Sequence, residues 1–305
     1  MYDLAIIGGG PAGVAAGVYA SRKRLKTIFI TKDWNSQSTV SEGIENWIGT
    51  VKISGPDFAK SLESHLRAYA ADVVDIKVGE WVTKVSGTDG DFTVESDKES
   101  YKTKSVLVTT GSARRRLDVP GADQFEHKGV TYCASCDGPV FSGQEVVVVG
   151  GGNAAFESAA QLLAYCSKVT LLNRSGEFRA DPSTVAKVLA HPNMVAIKNA
   201  VPTEIKGSKF VTSISYKDTV TGTTTDIPAA GIFVEIGSLP ATGFVQGLVD
   251  LDPTGHIKVD PLTQATSAKG VWAAGDSTDG LYHQNNIAAG DAVKALEDIY
   301  LHLRA

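Results

Sequence analysis

Residues 4–13 read LAIIGGGPAG, an apolar run followed by three glycines, a proline, one alanine and a fourth glycine. A helix-like stretch follows, and a second apolar run, TIFI, occupies residues 27–30. A strand, a glycine turn and a helix in this order are typical of a dinucleotide-binding unit, because the glycines let a pyrophosphate approach the N–H groups that begin the helix. The predicted pyrophosphate contacts are Gly8, Gly10, Ala12 and Gly13.

The same pattern occurs again in the middle of the chain. Residues 146–155 read VVVVGGGNAA, and a helix-like stretch and the apolar run VTLL at 169–172 follow. Thr31 lies 21 residues after Gly10, and Asn173 lies 21 residues after Gly152, so the repeats agree in spacing as well as in motif. Two such motifs in one context favour two nucleotide sites over two empty turns. The predicted contacts of the second site are Gly150, Gly152, Asn153 and Ala154.

Three later apolar runs complete the predicted fold. They are VLVTTG at 106–111, GIFVEIG at 231–237 and GVWAAGD at 270–276, the last preceding a helix-like stretch at 287–303. The predicted fold class is α/β, with two Rossmann-like dinucleotide-binding domains, the second inserted into the first. Residues 1–113 and 243–305 are predicted to form the first domain, and residues 117–239 the second.

Composition excludes several classes of function. The chain has 305 residues, a net charge of −5 and a pI of about 5.7. Nucleic-acid binding requires a basic surface, so it is not expected. No apolar run is long enough to span a membrane, and the amino terminus does not read as a signal peptide, so we expect a cytoplasmic location without membrane association.

Residues 133–138 read CASCDG and lie just before the second glycine motif. Two cysteines three positions apart can close and reopen a disulfide, and an adjacent acid can move the proton that each step needs. The alternatives are a structural disulfide or half of a zinc site, and no second CxxC or HxxxH supplies further zinc ligands. We therefore predict a catalytic set of Cys133, Cys136 and Asp137 and no metal.

Together these motifs resemble those of the low-molecular-weight thioredoxin reductases and of the reductase part of alkyl hydroperoxide reductase flavoproteins. The resemblance extends over essentially the whole chain, and it is specific because the CxxC motif lies in the second nucleotide domain. It implies FAD in the first domain, NADPH in the second, a homodimer, and rotation of one domain against the other, because the disulfide must reach both the flavin and a partner protein. The matching residues are Gly8 to Gly13, Glu45 to Trp47, Thr110-Gly111, Cys133 to Gly138, Gly150 to Ala155, and Ala274 to Asp276.

The resemblance also implies individual roles. Cys136 faces the flavin, Cys133 attacks the disulfide of the partner, and Asp137 is the acid or base. His283 stands where the family commonly has a basic residue, so it is a candidate to stabilise negative charge on the reduced flavin. The residues implied at the FAD site, beyond the glycine motif, are Gln37, Asn46, Thr110, Gly111, Gly275, Asp276, His283 and Gln284.

The sequence departs from the family where the donor is chosen. Residues 173–179 read NRSGEFR, whereas the family's NADPH signature is His-Arg-Arg followed by a later Arg. Arg174 and Arg179 could still bind a 2′-phosphate, and no acid stands at Asn173 to prefer NADH. NADPH is therefore the predicted donor. Asn35-Ser36 and Asn285-Asn286 also depart from the family pattern.

The predicted function is an FAD-dependent thioredoxin-disulfide reductase that passes electrons from NADPH through FAD and the Cys133–Cys136 dithiol to a thioredoxin-like protein. One alternative is a ferredoxin-dependent reductase with a decayed NADPH site, in which the run at 114–116, RRR, docks ferredoxin. A second alternative is a small-molecule dithiol oxidase that uses oxygen. A third is a flavoprotein sensor without catalytic turnover.

Overall fold

The computed structural model describes residues 1–41 and 43–304; Glu42 and Ala305, the predicted end of the first domain, lie outside the described residues. The α-helices are α1 (Pro11–Arg22), α2 (Gly55–Ala70), α3 (Ala134–Asp137), α4 (Asn153–Leu162), α5 (Pro182–Leu189) and α6 (Asn285–His302). The strands are β1 (Tyr2–Ile7), β2 (Thr27–Thr31), β3 (Val74–Val78), β4 (Val82–Thr88), β5 (Asp91–Ser96), β6 (Ser100–Val108), β7 (Ser112–Arg114), β8 (Val130–Thr131), β9 (Glu145–Val149), β10 (Lys168–Leu172), β11 (Met194–Ile197), β12 (Ala200–Gly207), β13 (Val211–Asp218), β14 (Thr224–Pro228), β15 (Gly231–Val234), β16 (Ser238–Pro240) and β17 (Val271–Ala273).

The chain divides into two compact units, and the second interrupts the first. Unit 1 contains Met1–Ala113 and Leu239–Ala305, and unit 2 contains Arg114–Ser238. The crossover strands β7 and β16 form a two-stranded sheet. The mixed α/β fold with parallel sheets is the predicted class.

Unit 1 is built on a sheet in which β1 lies between β2 and β6 and pairs with both in parallel. The hairpin strands β4 and β5 extend this sheet beyond β6 in antiparallel fashion, and β17 pairs with β6 in parallel. Every residue of β2 is buried, as expected of a parallel strand covered on both faces. The strand, turn and helix predicted around Gly8 are confirmed.

Unit 2 repeats this plan on a smaller scale. Its parallel sheet has the order β11-β10-β9-β15-β8, and β9 pairs with β10 and β15. A separate antiparallel sheet of β12, β13 and β14 was not predicted from the sequence. In this strand order a ligand is expected at the carboxyl ends of the strands, where the connections leave in opposite directions. That edge is formed by β9, which leads to the second glycine motif, and by its neighbour β15.

The helix starts fall into two groups. A side-chain oxygen of Ser54 accepts the Asp57 N–H at the start of α2, and Asp181 accepts the N–H groups of Ser183 and Thr184 at the start of α5. By contrast, α1 and α4 begin after the glycines Gly10 and Gly152 without a side-chain cap. Their first N–H groups are therefore open to an external anion.

Candidate functional site

The first glycine motif has the shape that a bound pyrophosphate requires. A Cβ atom on Gly13 would lie 1.9 Å from the Gly8 carbonyl oxygen, so the turn can close only without a side chain there. A Cβ atom on Gly10 would meet nothing within 4 Å, which leaves open space at the uncapped start of α1. The motif thus combines a tight turn with a free anion site.

The second motif has the same geometry. A Cβ atom on Gly150, whose φ is +151°, would lie 2.3 Å from the Glu235 carbonyl oxygen, whereas one on Gly152 would again meet nothing within 4 Å. Ala154 follows in the first turn of α4. The Asn153 side chain is already engaged, because its Oδ1 accepts the Asp181 N–H at 2.8 Å. Asn153 can therefore serve a ligand through its backbone, while its side chain fixes the start of α5.

Four of the residues predicted at the flavin site form two contacts in unit 1, although they are far apart in sequence. Gln37 Nε2 lies 3.4 Å from Asp276 Oδ2, and Asn46 Nδ2 lies 3.2 Å from Gln284 Oε1. Gln37 also donates to the Ser112 carbonyl. These polar side chains occur on loops at 37–46, at 276 and at 284.

The two asparagines that depart from the family pattern have a structural role. Asn285 Oδ1 accepts a hydrogen bond from the Ser38 hydroxyl at 2.9 Å. Asn286 donates to the Asn46 carbonyl at 2.7 Å and accepts from the Ile48 N–H at 3.4 Å. The start of α6 is therefore tied by side-chain hydrogen bonds to the loop that carries Gln37 and Asn46.

The remaining residues predicted for the first site occupy nearby turns of unit 1. Thr110 donates through its hydroxyl to the Ala241 carbonyl at 2.8 Å, and Gly111 adopts a left-handed conformation with φ of +65°. Gly275 fits between Ala12 and Ala288, so its turn packs against the starts of α1 and α6. The ring of His283 lies 6.0 Å from the ring of His256, centroid to centroid.

In unit 2, Cys133 and Cys136 form a disulfide. Cys133 precedes α3, and its Sγ accepts the Cys136 N–H at 3.2 Å. Cys136 is exposed and Cys133 is half-buried. The Ser135 hydroxyl donates to Gln161 of α4 at 2.8 Å, which anchors the segment. The Asp137 carboxylate accepts a hydrogen bond from the Thr131 hydroxyl.

Asn173 organises the loop that follows β10. Its buried amide donates to the carbonyls of Ser175 and Glu177, both at 2.8 Å, so the side chain shapes the loop and is not free to bind a ribose. The Arg179 N–H closes the loop onto the Gly151 carbonyl at 2.7 Å. The loop therefore contacts the second glycine motif directly.

The side chains of Arg174 and Arg179 are exposed, and sequence reasoning missed a third cation near them. Lys198 follows β11, and its Nζ lies 4.9 Å from the centroid of the Phe178 ring. Asn199, the next residue, donates its N–H to the Ser175 carbonyl at 3.2 Å. Within the described part of the chain none of these three cations forms an ion pair with a carboxylate. Only the pairing of β10 with β11 reveals this proximity.

The run Arg114-Arg115-Arg116 is largely engaged within unit 2. Arg114 Nη1 lies 3.5 Å from Glu235 Oε2, and Arg116 Nη1 lies 3.1 Å from Glu126 Oε2. Sequence reasoning did not single out Glu235, which follows β15 beside the second glycine motif. Its side chain is 5% exposed and accepts the Ser158 hydroxyl at 2.6 Å.

Burial raises the pKa of the Glu235 carboxyl above its ordinary value, and the Ser158 hydrogen bond and Arg114 offset this only in part. A carboxyl with a raised folded-state pKa favours folding less as the pH rises above its unfolded-state value, which is about 4.5. The Tm of the natural protein relative to that of Glu235→Gln should therefore fall between pH 5 and pH 8. About 2–4 °C is expected, the shift that 1 kcal/mol produces in a chain of this size. A constant difference in thermal melts across this range would contradict the assignment.

Comparison with known proteins agrees with this geometry. The family model described as "Pyridine nucleotide-disulphide oxidoreductase" matches residues 2–292. A protein named as part of alkyl hydroperoxide reductase, from Xanthomonas campestris pv. phaseoli, is 40% identical over 304 residues, 99% of this chain and 57% of that protein. A protein named NADH dehydrogenase from Bacillus subtilis (strain 168) is 37% identical over 295 residues, 96% of this chain and 57% of that protein. The chain thus spans little more than half the length of these relatives.

Among solved structures, thioredoxin reductase from Giardia duodenalis has a TM-score of 0.93 and 34% identity, covering 100% of this chain and 99% of that one. The chain therefore belongs to the pyridine nucleotide-disulphide oxidoreductase family. Its fold is that of a thioredoxin reductase, and it is an oxidoreductase with a disulfide redox centre.

The family binds a flavin and a nicotinamide nucleotide. The residues present fit two such dinucleotides, because each glycine motif leaves an uncapped helix start with open space before it. No helix in the described part of the chain is long and apolar enough to cross a membrane.

Proposed function

We propose that the chain is an FAD-dependent thioredoxin-disulfide reductase driven by NADPH. The observation that carries the proposal is the Cys133–Cys136 disulfide in the unit of the second glycine motif. FAD is assigned to the first motif, with Gln37, Asn46, Asp276 and Gln284 on the flavin side, and NADPH to the second. The likeness to thioredoxin reductases over nearly their whole length supports this choice. A homodimer and a cytoplasmic location remain predictions.

The dithiol chemistry follows from the two sulfurs. Bound FAD, once reduced, supplies the electron pair that breaks the Cys133–Cys136 bond and leaves two reduced sulfurs. As a thiolate, Cys133 attacks one sulfur of the partner's disulfide and expels the other sulfur as a thiolate. Cys136 then attacks Cys133 Sγ, which re-forms the internal disulfide and releases the second partner thiolate. Asp137 is proposed to hold and return the proton of the cysteine that becomes a thiolate.

NADPH is the proposed donor because three cations surround the loop after β10. Arg174, Arg179 and Lys198 can surround a 2′-phosphate, which NADH lacks. Asn173 cannot replace the acid that binds a 2′-hydroxyl, because its amide is used within the loop. Ferredoxin docking on the run of arginines at 114–116 is less favoured, since Arg114 and Arg116 already pair with carboxylates.

Replacing Arg174 and Arg179 together by alanine should raise the KM for NADPH at least about tenfold, the least that one lost charged hydrogen bond costs, and leave the KM for NADH nearly unchanged. Steady-state kinetics with each nucleotide measure both constants. Lys187→Ala is the matched control, because Lys187 is an exposed cation on α5 outside this loop. Equal losses with both nucleotides would contradict the assignment of a 2′-phosphate site.

A stopped-flow comparison of donors tests the function as a whole. Under anaerobic conditions NADPH should bleach the flavin rapidly, and a thioredoxin-like protein disulfide should then restore its colour. Bleaching by reduced ferredoxin but not by millimolar NADPH would replace the donor. Oxygen consumption with a small dithiol, in the absence of any nucleotide, would identify a dithiol oxidase. Negligible turnover with every donor would leave a sensor.

A second candidate concerns donor and acceptor together. The relatives at 37–40% identity carry the names alkyl hydroperoxide reductase and NADH dehydrogenase. These names favour NADH as the donor and a disulfide in another protein as the acceptor. A higher kcat/KM for NADH than for NADPH, with no turnover of thioredoxin, would favour this candidate.

A further inference from the structure

We propose that Thr131 is a positioning residue that holds the Asp137 carboxylate in place as the proton acceptor and donor of the Cys133–Cys136 dithiol. The inference rests on the proposed acid–base role of Asp137. It concerns a residue outside the CxxC motif to which sequence reasoning gave no role.

Thr131 is held rigidly by the sheet of unit 2. It ends β8, the edge strand beside β15, and lies opposite Phe233 in the parallel register. Its residue surface is 7% exposed, and its hydroxyl donates to Asp137 Oδ2 across the CxxC segment. The hydrogen bond therefore comes from a buried strand, so the donor keeps its position when the disulfide opens.

Asp137 is placed to serve the sulfurs. It is the last residue of α3, and its N–H donates to the Cys133 carbonyl at 3.0 Å, so the two residues lie one helical turn apart. Residues four apart share a helix face. Asp137 Oδ1 makes no hydrogen bond to any other residue that the structure describes. Thr131 thus fixes one carboxylate oxygen and leaves the other for a proton.

The proton transfer can be written in full for reduction by dithiothreitol. A dithiothreitol thiolate bonds to one cysteine sulfur, the S–S bond breaks, and the other cysteine leaves with the electron pair and takes a proton from Asp137. The second dithiothreitol thiol passes its proton to the Asp137 carboxylate and attacks the mixed disulfide. Cyclic oxidised dithiothreitol and a second cysteine thiolate are released. A hydrogen bond to the carboxylate keeps it oriented in both transfers.

The test is the rate of disulfide reduction by dithiothreitol at pH 7 in the FAD-loaded full chain, quenched by alkylation and followed by mass. Thr131→Val, which removes the hydroxyl at nearly constant shape, should be about tenfold slower, a part of the effect of an acid–base group. Thr131→Ser should stay within about twofold of the natural rate. Thr170→Val, at a buried threonine of β10, should leave the rate unchanged.

Asp137→Asn separates positioning from support of the fold. If Thr131 acts through Asp137, adding Thr131→Val to Asp137→Asn should cause little further loss. A natural rate in Thr131→Val, a rate in Thr131→Ser as low as in Thr131→Val, or additive losses in the double variant would overturn the proposal. Thr131→Ala replaces Thr131→Val if the valine variant does not fold. The assay needs neither nucleotide nor partner protein, so failure of the proposed function would appear separately, in the donor comparison.

Discussion

Cys133→Ser is expected to abolish reduction of a protein disulfide, by at least about a thousandfold, while NADPH still bleaches the flavin. The reason is chemical: a serine oxygen cannot form the mixed disulfide through which electrons leave the chain. The flavin site lies in unit 1 and does not depend on this sulfur. Stopped-flow absorbance measures the bleaching, and insulin reduction through thioredoxin measures the exit of electrons.

Trapping distinguishes the roles of the two sulfurs. Cys136→Ser should accumulate a mixed disulfide between Cys133 and the partner, because no second thiol is present to resolve it. Cys133→Ser should not accumulate one. The reverse pattern would make Cys136, which is the more exposed of the two, the attacking sulfur. Cys166→Ser is the control, because Cys166 is a buried free cysteine outside the motif.

The same change in the two glycine motifs should remove two different cofactors. Gly10→Asp should yield a protein without FAD, whereas Gly152→Asp should stay yellow but resist reduction by NADPH. Each aspartate enters open space at an uncapped helix start, where its charge favours the empty helix and repels a pyrophosphate. Flavin absorbance after purification and anaerobic titration with NADPH measure the two losses.

Gly243→Asp is the matched control, because Gly243 is exposed and a Cβ atom there would also meet nothing within 4 Å. Dithionite should still bleach the Gly152→Asp protein, which shows that its flavin is intact. Loss of FAD from Gly152→Asp, or retention of FAD in Gly10→Asp, would reverse the assignment of the two cofactors.

Much of the fold could be predicted because it depends on local patterns. The apolar run before Gly8 and its repeat before Gly150 each predict a buried strand, a tight turn and a helix, and both units contain them. The antiparallel sheet of β12, β13 and β14 was missed, since its alternating, partly exposed residues carry a weak signal.

The site was less predictable, because its decisive contacts join residues that are distant in sequence. Glu235 meets Ser158 across 77 positions, and no local pattern marks either residue. Lys198 approaches the loop at 174–179 only through the pairing of β10 with β11. Asn173 was correctly read as lacking the acid that NADH prefers, but its role in holding the loop depends on backbone carbonyls that a sequence does not place.

The most direct test of the central claim, that electrons pass from FAD to the Cys133–Cys136 disulfide, is an anaerobic reductive titration of the purified protein. The natural protein should take up about four electrons per chain, two in FAD and two in the disulfide. The variant with both cysteines replaced by serine should take up about two. An uptake of two electrons by the natural protein would show that the disulfide does not exchange electrons with the flavin, and would contradict the account.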